Sequence, residues 1–168
     1  MISDSSVAAS EVEADAEGSQ LHDLLPFITG EQLFAVFADE VDATAEAKPF
    51  APLPRAPNSV LGIVCVRGRM LTVIDPTTLL TGETGAWGET LPCVIALRGD
   101  EQLALAAESY RDTITISSAD IERGPETQPQ DELIIGNVTY ANEKILILNS
   151  TRLFSRVVQR RDRRRRRF

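Results

Sequence analysis

Short apolar runs separated by turn-forming residues dominate the hydrophobic pattern of this chain. Runs of this length, rich in Val, Ile, Leu and Phe, predict strands that bury one or both faces. Segment 41–47 is more weakly patterned, and it suits either a strand or one helical turn. The clearest strand predictions are 21–28, 32–38, 60–66, 70–74, 91–97, 102–107, 113–116, 133–140 and 144–148. The pattern therefore predicts an all-β fold of about nine or ten short strands.

The stretch 53–80 is predicted to form a hairpin followed by a short helix. Two apolar runs flank Arg67-Gly68, and a glycine turn between β-branched runs is typical of a β-hairpin. Asp75-Pro76 predicts a helix start, because Asp caps free backbone N–H groups and proline fits the first helical position. The same order of hairpin and helix recurs in residues 133–159.

The glycine-rich segment 81–90 is predicted to link two halves of similar build. Together with the repeated hairpin and helix, this predicts two five-stranded SH3-like β-barrels that pack together. The predicted subdomains cover about residues 21–80 and 91–149, with a closing helix over about 151–159.

The two ends of the chain carry opposite charge. The first 20 residues hold five carboxylates and no cation, and we expect them to be disordered because they can bury little apolar surface. Residues 160–168 hold seven arginines and one aspartate, in a chain whose net charge is −8. The acidic body between them disfavours nucleic acid as a partner. The arginine-rich tail suits a solvated end, an anionic lipid or RNA, or an acidic surface such as the N-terminal segment.

Cys65 and Cys93 each lie in an apolar run, and no CxxC motif is present. We therefore expect two buried thiols in a reducing compartment, with a 65–93 disulfide as the alternative. The first residues lack a signal-peptide pattern, and no stretch approaches the roughly 20 apolar residues that span a bilayer. The sequence therefore predicts a cytoplasmic protein without direct membrane insertion.

No set of residues predicts catalysis or cofactor binding. The single histidine, His22, forms no metal-ligand pattern with cysteine, and neither phosphate-binding nor dinucleotide-binding glycine motifs occur. Asp39, Glu40 and Asp42 are close enough in sequence to bind a cation, but a solvated acidic turn is the simpler interpretation. We expect neither enzymatic activity nor a bound metal or cofactor.

The sequence PRAPNSVLGIVCVRGRMLTVIDPTTLL, residues 54–80, resembles the signature of CheW-like domains. The matching positions are Pro57, Val60, Gly62, Ile63, Arg67, Gly68, Met70 to Ile74, Asp75 and Leu79. The segments FAVFADEVD, LALAAESYRDTITI and IIGNVTYANEKILILNSTRLF resemble the flanking parts of the family pattern, so the resemblance covers about residues 21–158. It implies a non-catalytic adaptor that couples the cytoplasmic tip of a methyl-accepting chemoreceptor to a CheA-type histidine kinase.

Several positions depart from the family pattern. Residues that are frequent in the family are replaced by Ala43, Cys65, Thr72, Pro76 and Ala104. These changes concern the identity of the partner more than the fold, so an adaptor of a pilus-motility or other non-flagellar pathway is the alternative. A different class of function is a nucleic-acid or anionic-membrane binder that acts through the arginine-rich tail.

Arg67 is the main candidate for partner binding. An arginine on a rigid hairpin beside the apolar residue Val66 can anchor an interface, because its guanidinium forms forked hydrogen bonds and stacks. The resemblance implies that Arg67 lies in the receptor- and kinase-binding region and that Val41 lies near the kinase contact. Val66, Arg69 and Gly62 are assigned to the same partner-binding set, although Gly62 also suits a close backbone approach. We expect an exposed apolar groove between the two barrels, with Arg67 at its rim.

Overall fold

The computed structural model describes residues 20–123 and 133–165, and for residues 158–165 it describes the backbone alone. Of the segment 1–20 that is predicted to be disordered, only Gln20 lies within the described residues. Its amide nitrogen donates to the Ser118 hydroxyl at 2.9 Å, and its carbonyl oxygen accepts from the Ser118 amide at 2.7 Å. Residues 166–168 of the predicted tail also lie outside the described residues.

Strands make up most of the described chain, which confirms the all-β prediction. The strands are β1 (Leu21–Thr29), β2 (Gln32–Phe37), β3 (Val41–Pro49), β4 (Val60–Val66), β5 (Arg69–Ile74), β6 (Thr90–Leu97), β7 (Leu103–Ala107), β8 (Ser109–Tyr110), β9 (Ile114–Ser117), β10 (Ile134–Tyr140) and β11 (Glu143–Leu148). Two α-helices, α1 (Pro76–Thr81) and α2 (Ser150–Arg165), and two 3₁₀ turns, Ala38–Glu40 and Ser118–Asp120, complete the described elements. Segment 41–47, which suited two conformations, lies within strand β3.

The strands form two sheets whose members come from both halves of the chain. The first sheet has the order β10-β11-β2-β1-β8, with β9 also paired to β1, and the second has the order β3-β6-β7-β5-β4. The predicted subdomains 21–80 and 91–149 therefore do not correspond to the sheets, because β3 pairs with β6 and β5 pairs with β7 across the glycine-rich segment. The β3–β6 pair is antiparallel, whereas β5 with β7, and β11 with β2 in the first sheet, are parallel long-range pairs. Local sequence patterns predict strands but do not predict such distant partners.

Each sheet curls around its own apolar interior, and a third apolar cluster lies between the sheets. Val64, Leu71 and Val94 belong to the interior of the second sheet, whereas Leu24 and Ile145 belong to the interior of the first. The shared cluster joins side chains from both sheets and from both α-helices: Leu25, Phe34, Ile74, Leu79, Leu105, Leu148 and Leu153 are among its members. The two sheets therefore form one packed unit.

The predicted hairpin and helix start in residues 60–81 are both present. Arg67 and Gly68 have φ values of 51° and 78° and join β4 to β5 in a two-residue loop, as expected for a hairpin turn that needs positive φ at both positions. Asp75 caps α1 through a hydrogen bond from the Thr77 amide at 3.0 Å, and Pro76 is the first helical residue.

Helix α2 is longer than predicted. The sequence predicts a closing helix that ends near Gln159, yet the helical backbone continues to Arg165. Arginine has a high helix propensity, so the first part of the arginine-rich run can continue the helix that the apolar residues begin. Leu153 anchors the first turns, since it is buried in the cluster between the sheets.

Candidate interaction groove

Arg67 lies at the tip of the β4–β5 hairpin. Its side chain is exposed, because the two-residue loop turns it away from the inward-facing positions of both strands. Among the residues that the structure describes, no hydrogen bond or ion pair engages its guanidinium. Arg67 is therefore a cation on a rigid element that is available to bind a carboxylate or a carbonyl oxygen of another molecule.

An open groove of about 390 Å³ runs from the hairpin tip to the junction of the two sheets. Its lining combines Leu25 of the first sheet with Val41 and Ala43 of the second, and Arg67 lies at its edge. The remaining lining residues are Ala38, Thr44, Tyr110, Arg111, Asp112 and Thr113. The structure thus brings together Arg67 and Val41, two of the residues predicted from the sequence. The lining mixes polar and apolar side chains, so the groove is less apolar than expected.

Arg69 lies beside the groove and is bound within the fold. Its Nη1 donates to Asp42 Oδ2 at 3.0 Å, and its Nη2 donates to the Gly99 carbonyl at 3.4 Å. Next to this ion pair, Arg98 Nε donates to the Val41 carbonyl oxygen at 3.2 Å. Arg69 and Arg98 therefore hold the start of β3, and with it Val41, against the hairpin and the β6–β7 turn.

Val66 and Gly62 do not line the groove. Val66 is only 4% exposed and packs in the interior of the second sheet. Gly62 is buried where β4 meets Ala51, and a Cβ atom built on it would lie 2.2 Å from the Ala51 carbonyl oxygen. These two residues support the hairpin from inside, because their positions on β4 face the interior, and their contact with a partner stays a prediction.

Four further groove residues were not predicted from the sequence: Tyr110, Arg111, Asp112 and Thr113. Tyr110 ends β8, and residues 111–113 connect it to β9. Both strands pair with β1, whose Leu25 lines the groove together with Val41. The polar break in the run LALAAESYRDTITI is the signal that could have marked an exposed loop. Arg111 is engaged by Glu143, and the hydrogen bond from its guanidinium lowers the pKa of the Glu143 carboxyl.

The acidic residues near the groove do not form a cation site. Asp42 pairs with Arg69, and Glu40 accepts a hydrogen bond from the Ser150 hydroxyl at the start of α2. Burial raises the pKa of Glu40, and the Ser150 hydrogen bond opposes that shift. Within residues 20–123 and 133–165, no three His, Cys, Asp or Glu side chains are grouped to hold a metal ion. His22 packs its ring 5.2 Å from that of Phe37.

The two cysteines lie in different environments. Cys93 is buried, and burial followed by the nearby Glu46 carboxylate raises the pKa of its thiol. Cys65 is exposed on the outer face of β4, opposite Met70 of β5. Both thiols are free, so the disulfide alternative is wrong, and the expectation of burial is correct only for Cys93. Cys65 is exposed because its neighbours Val64 and Val66 face the interior of the sheet.

Thiol labelling of the folded protein is expected to detect one fast cysteine. Cys65 should react with an aromatic disulfide reagent at mildly alkaline pH, whereas Cys93 should react only after denaturation, because it is buried and its thiolate is disfavoured. The measurement is the number of thiols released before and after addition of denaturant. Cys65→Ser should remove the fast thiol, and two fast thiols in the wild type would contradict the structure.

The groove and the two sheets together have the geometry of a surface that binds another molecule. The described residues form two interlocked sheets with an open groove at their junction, and a free cation stands at the edge of that groove. No helix within the described residues has the length and apolar character needed to cross a bilayer. An open surface of this kind suits a binding module that works through protein contacts.

Comparison with known proteins identifies the family. The family model of the CheW-like domain matches residues 23–158, and the chain therefore belongs to the CheW-like domain family. Chemotaxis protein CheW of Rhizobium meliloti (strain 1021) is 27% identical over 104 residues, which cover 62% of this chain and 67% of that protein. The crystal structure of the scaffolding protein TtCheW from Thermoanaerobacter tengcongensis matches with a TM-score of 0.65 at 20% identity, over 76% of this chain and 88% of that chain. The shared fold confirms the prediction of two SH3-like subdomains, although only the second sheet has the predicted five strands and the first has six.

Proposed function

We propose that this protein is a non-catalytic adaptor that couples the cytoplasmic tip of a chemoreceptor to a CheA-type histidine kinase. Membership of the CheW-like family supports a scaffold in chemotaxis signalling. The observation that carries the finer proposal is the groove in which Arg67 and Val41 meet, because both belong to the surface that the family resemblance implicates. A scaffold of this kind needs rigid surfaces and no reacting groups.

The groove is suited to a partner that presents apolar side chains with a carboxylate beside them. Leu25, Val41 and Ala43 provide the apolar part of its lining. Arg67 provides a charge that no described residue neutralises, while Arg111 is occupied by Glu143. A guanidinium flanked by apolar surface is the type of residue that dominates binding energy in interfaces.

Arg67→Glu is expected to weaken binding to a CheA-type kinase or to a receptor tip fragment by about tenfold or more. The substitution replaces the free cation with a charge that repels an acidic partner, and the exposed position should leave the fold intact. The measurement is the dissociation constant by calorimetry, for the purified full chain against each partner separately. Arg55→Glu is the matched control, because Arg55 is exposed and lies outside the groove lining.

The outcomes separate the alternatives. Equal affinities for wild type and Arg67→Glu would contradict the role of the groove, and failure of the wild type to bind either partner would contradict the adaptor function. The alternative of a pilus-motility or other non-flagellar pathway uses the same surface. The dissociation constants of wild type and Arg67→Glu can therefore be compared for kinases from both kinds of pathway. The kinase whose binding is weakened by Arg67→Glu identifies the pathway.

A further inference from the structure

A second groove, of about 400 Å³, shares no lining residue with the groove of Arg67. It is bounded by the β1–β2 turn, the start of α1 and the glycine-rich segment 81–90. Two carboxylates, Asp75 and Glu108, line it together with the indole of Trp87. Among the described residues that line this groove, none is a lysine, an arginine or a histidine. A concave surface of this composition suits a ligand that carries positive charge.

We propose that this second groove binds a guanidinium group, either that of an arginine side chain or that of a small molecule with the same group. The net charge of −8 on the chain attracts such a ligand from a distance, although salt screens that attraction. The proposed adaptor function does not require this site, so each proposal can be contradicted without the other.

Asp75 supplies a negative charge that the fold leaves without a counter-ion. Its carboxylate is 1% exposed and accepts hydrogen bonds from the Thr77 and Thr78 amides, the Thr78 hydroxyl and the Trp87 indole. All of these donors are neutral, and neither ion pair found in the described part of the chain includes Asp75. Because solvent screens a buried charge poorly, the field of Asp75 extends into the adjacent groove and favours a cation there.

Glu108 supplies a carboxylate oxygen that is free to bind a ligand. The amide of Gly30 donates to Oε1 at 3.1 Å, and the Glu108 amide donates to the Ile28 carbonyl oxygen at 2.8 Å, so the residue is held against the end of β1. Glu108 is exposed, and its Oε2 has no hydrogen-bond partner among the residues that the structure describes. An N–H group of a guanidinium can therefore donate to Oε2 in a charge-assisted hydrogen bond.

Trp87 favours a planar organic cation over an ammonium group or a metal ion. Its Nε1 donates to Asp75 Oδ2 at 2.8 Å, which fixes the indole in the wall of the groove. A guanidinium stacks on aromatic rings and is more weakly hydrated than an ammonium, so it enters such a site at a lower cost. Within residues 20–123 and 133–165, no three His, Cys, Asp or Glu side chains are grouped, so a metal ion would lack ligands here.

Hydrogen bonds join the walls of the groove to one another. The Thr77 hydroxyl on α1 donates to the Thr29 carbonyl oxygen at 3.2 Å, next to the β1–β2 turn. The Thr29 hydroxyl in turn donates to the Ala106 carbonyl oxygen on β7 at 2.9 Å. The groove is therefore formed before a ligand binds, and preorganisation of this kind lowers the entropic cost of binding.

The first test follows the fluorescence of Trp87, the single tryptophan, while the full-length protein is titrated with N-acetyl-L-arginine amide. A saturable change is expected, with a dissociation constant of about 1 mM for a ligand of this size. The amide signal of Gly30 should shift with the same dissociation constant, because its acceptor Glu108 binds the ligand. N-acetyl-L-citrulline amide has a similar shape without the charge and should bind about tenfold more weakly. No saturable change up to about 20 mM, or equal binding of both compounds, would overturn the proposal.

A pair of variants separates the groove from the net charge. Glu108→Gln keeps an oxygen that accepts from the Gly30 amide but loses the charge, and it should weaken binding of the arginine amide about tenfold. Glu101→Gln is the matched control, because Glu101 is exposed, lies outside this groove and changes the net charge equally. This control should bind as the wild type does. Equal weakening in both variants, or no weakening in Glu108→Gln, would contradict the site.

The source of the guanidinium is identified by comparing free L-arginine with the peptide acetyl-Gly-Arg-Gly-amide. Tighter binding of the peptide would support an arginine of a partner protein, whereas tighter binding of free arginine would support a small molecule. Both results place a guanidinium in the groove. Failure of both compounds to bind below about 20 mM would overturn the proposal.

Discussion

Asp75→Ala is expected to lower the free energy of unfolding by about 3 to 5 kcal/mol. Asp75 is 1% exposed and accepts hydrogen bonds at both carboxylate oxygens. Oδ1 accepts from the amides of Thr77 and Thr78, and Oδ2 accepts from Thr78 Oγ1 at 2.9 Å and from Trp87 Nε1 at 2.8 Å. Alanine would remove the helix cap and leave buried donors without their acceptor.

The measurement for Asp75→Ala is urea unfolding followed by the fluorescence of Trp87, the single tryptophan of the chain. The same variant should shift the emission of the folded protein to longer wavelength. Trp87 lies in the glycine-rich segment, and its indole would lose the Asp75 carboxylate that accepts its hydrogen bond. Asp120→Ala is the control, since Asp120 is exposed on a 3₁₀ turn. A loss of stability below about 1 kcal/mol would contradict the role of Asp75 as the acceptor that joins α1 to this segment.

Gly62→Ala is expected to destabilise the fold by about 3 kcal/mol or more, because no side chain fits at this position. The added Cβ would lie 2.2 Å from the Ala51 carbonyl oxygen and 3.0 Å from the Phe50 ring. Relieving that overlap requires separating β4 from Ala51, whose amide and carbonyl both hydrogen-bond Ile63 at 2.9 Å. Overpacking against backbone is costly, since backbone cannot change rotamer.

The free energy of unfolding from urea titration measures the effect of Gly62→Ala. Gly88→Ala is the matched control, because a Cβ atom at Gly88 would meet open space and should change stability by no more than about 0.5 kcal/mol. Comparable stability of Gly62→Ala and Gly88→Ala would contradict the close packing of β4 against Ala51.

Local chemistry made parts of the fold predictable from the sequence. The Arg67-Gly68 turn and the Asp75-Pro76 helix start depend on the residues at those positions, and the structure contains both. The position of Arg67 at the edge of a groove followed from the exposed turn combined with the family resemblance. Val41 was placed by that resemblance alone, since its local sequence suited two conformations.

Distant pairings could not be predicted in the same way. Residues 110–113 and Val41 line the same groove because β8 and β9 both pair with β1. These paired strands are separated by about half of the sequence. The burial of Val66 and the exposure of Cys65 depend on which face of β4 turns inward, and an unbroken apolar run does not encode that choice. Helix α2 extends beyond the predicted end near Gln159 because the prediction depended on the apolar face, which ends at Val158, whereas arginine also favours helix.

The arrangement of the two sheets has a consequence for the order of folding during synthesis. All strands of the second sheet lie in the continuous segment 41–107, whereas the first sheet needs β1 and β2 together with strands that follow residue 108. The second sheet can therefore complete its hydrogen bonds while the ribosome is still making β10 and β11. Until then the edge of β2 lacks its parallel neighbour β11, and the unpaired edge of the β1–β2 hairpin exposes this part of the nascent chain to aggregation.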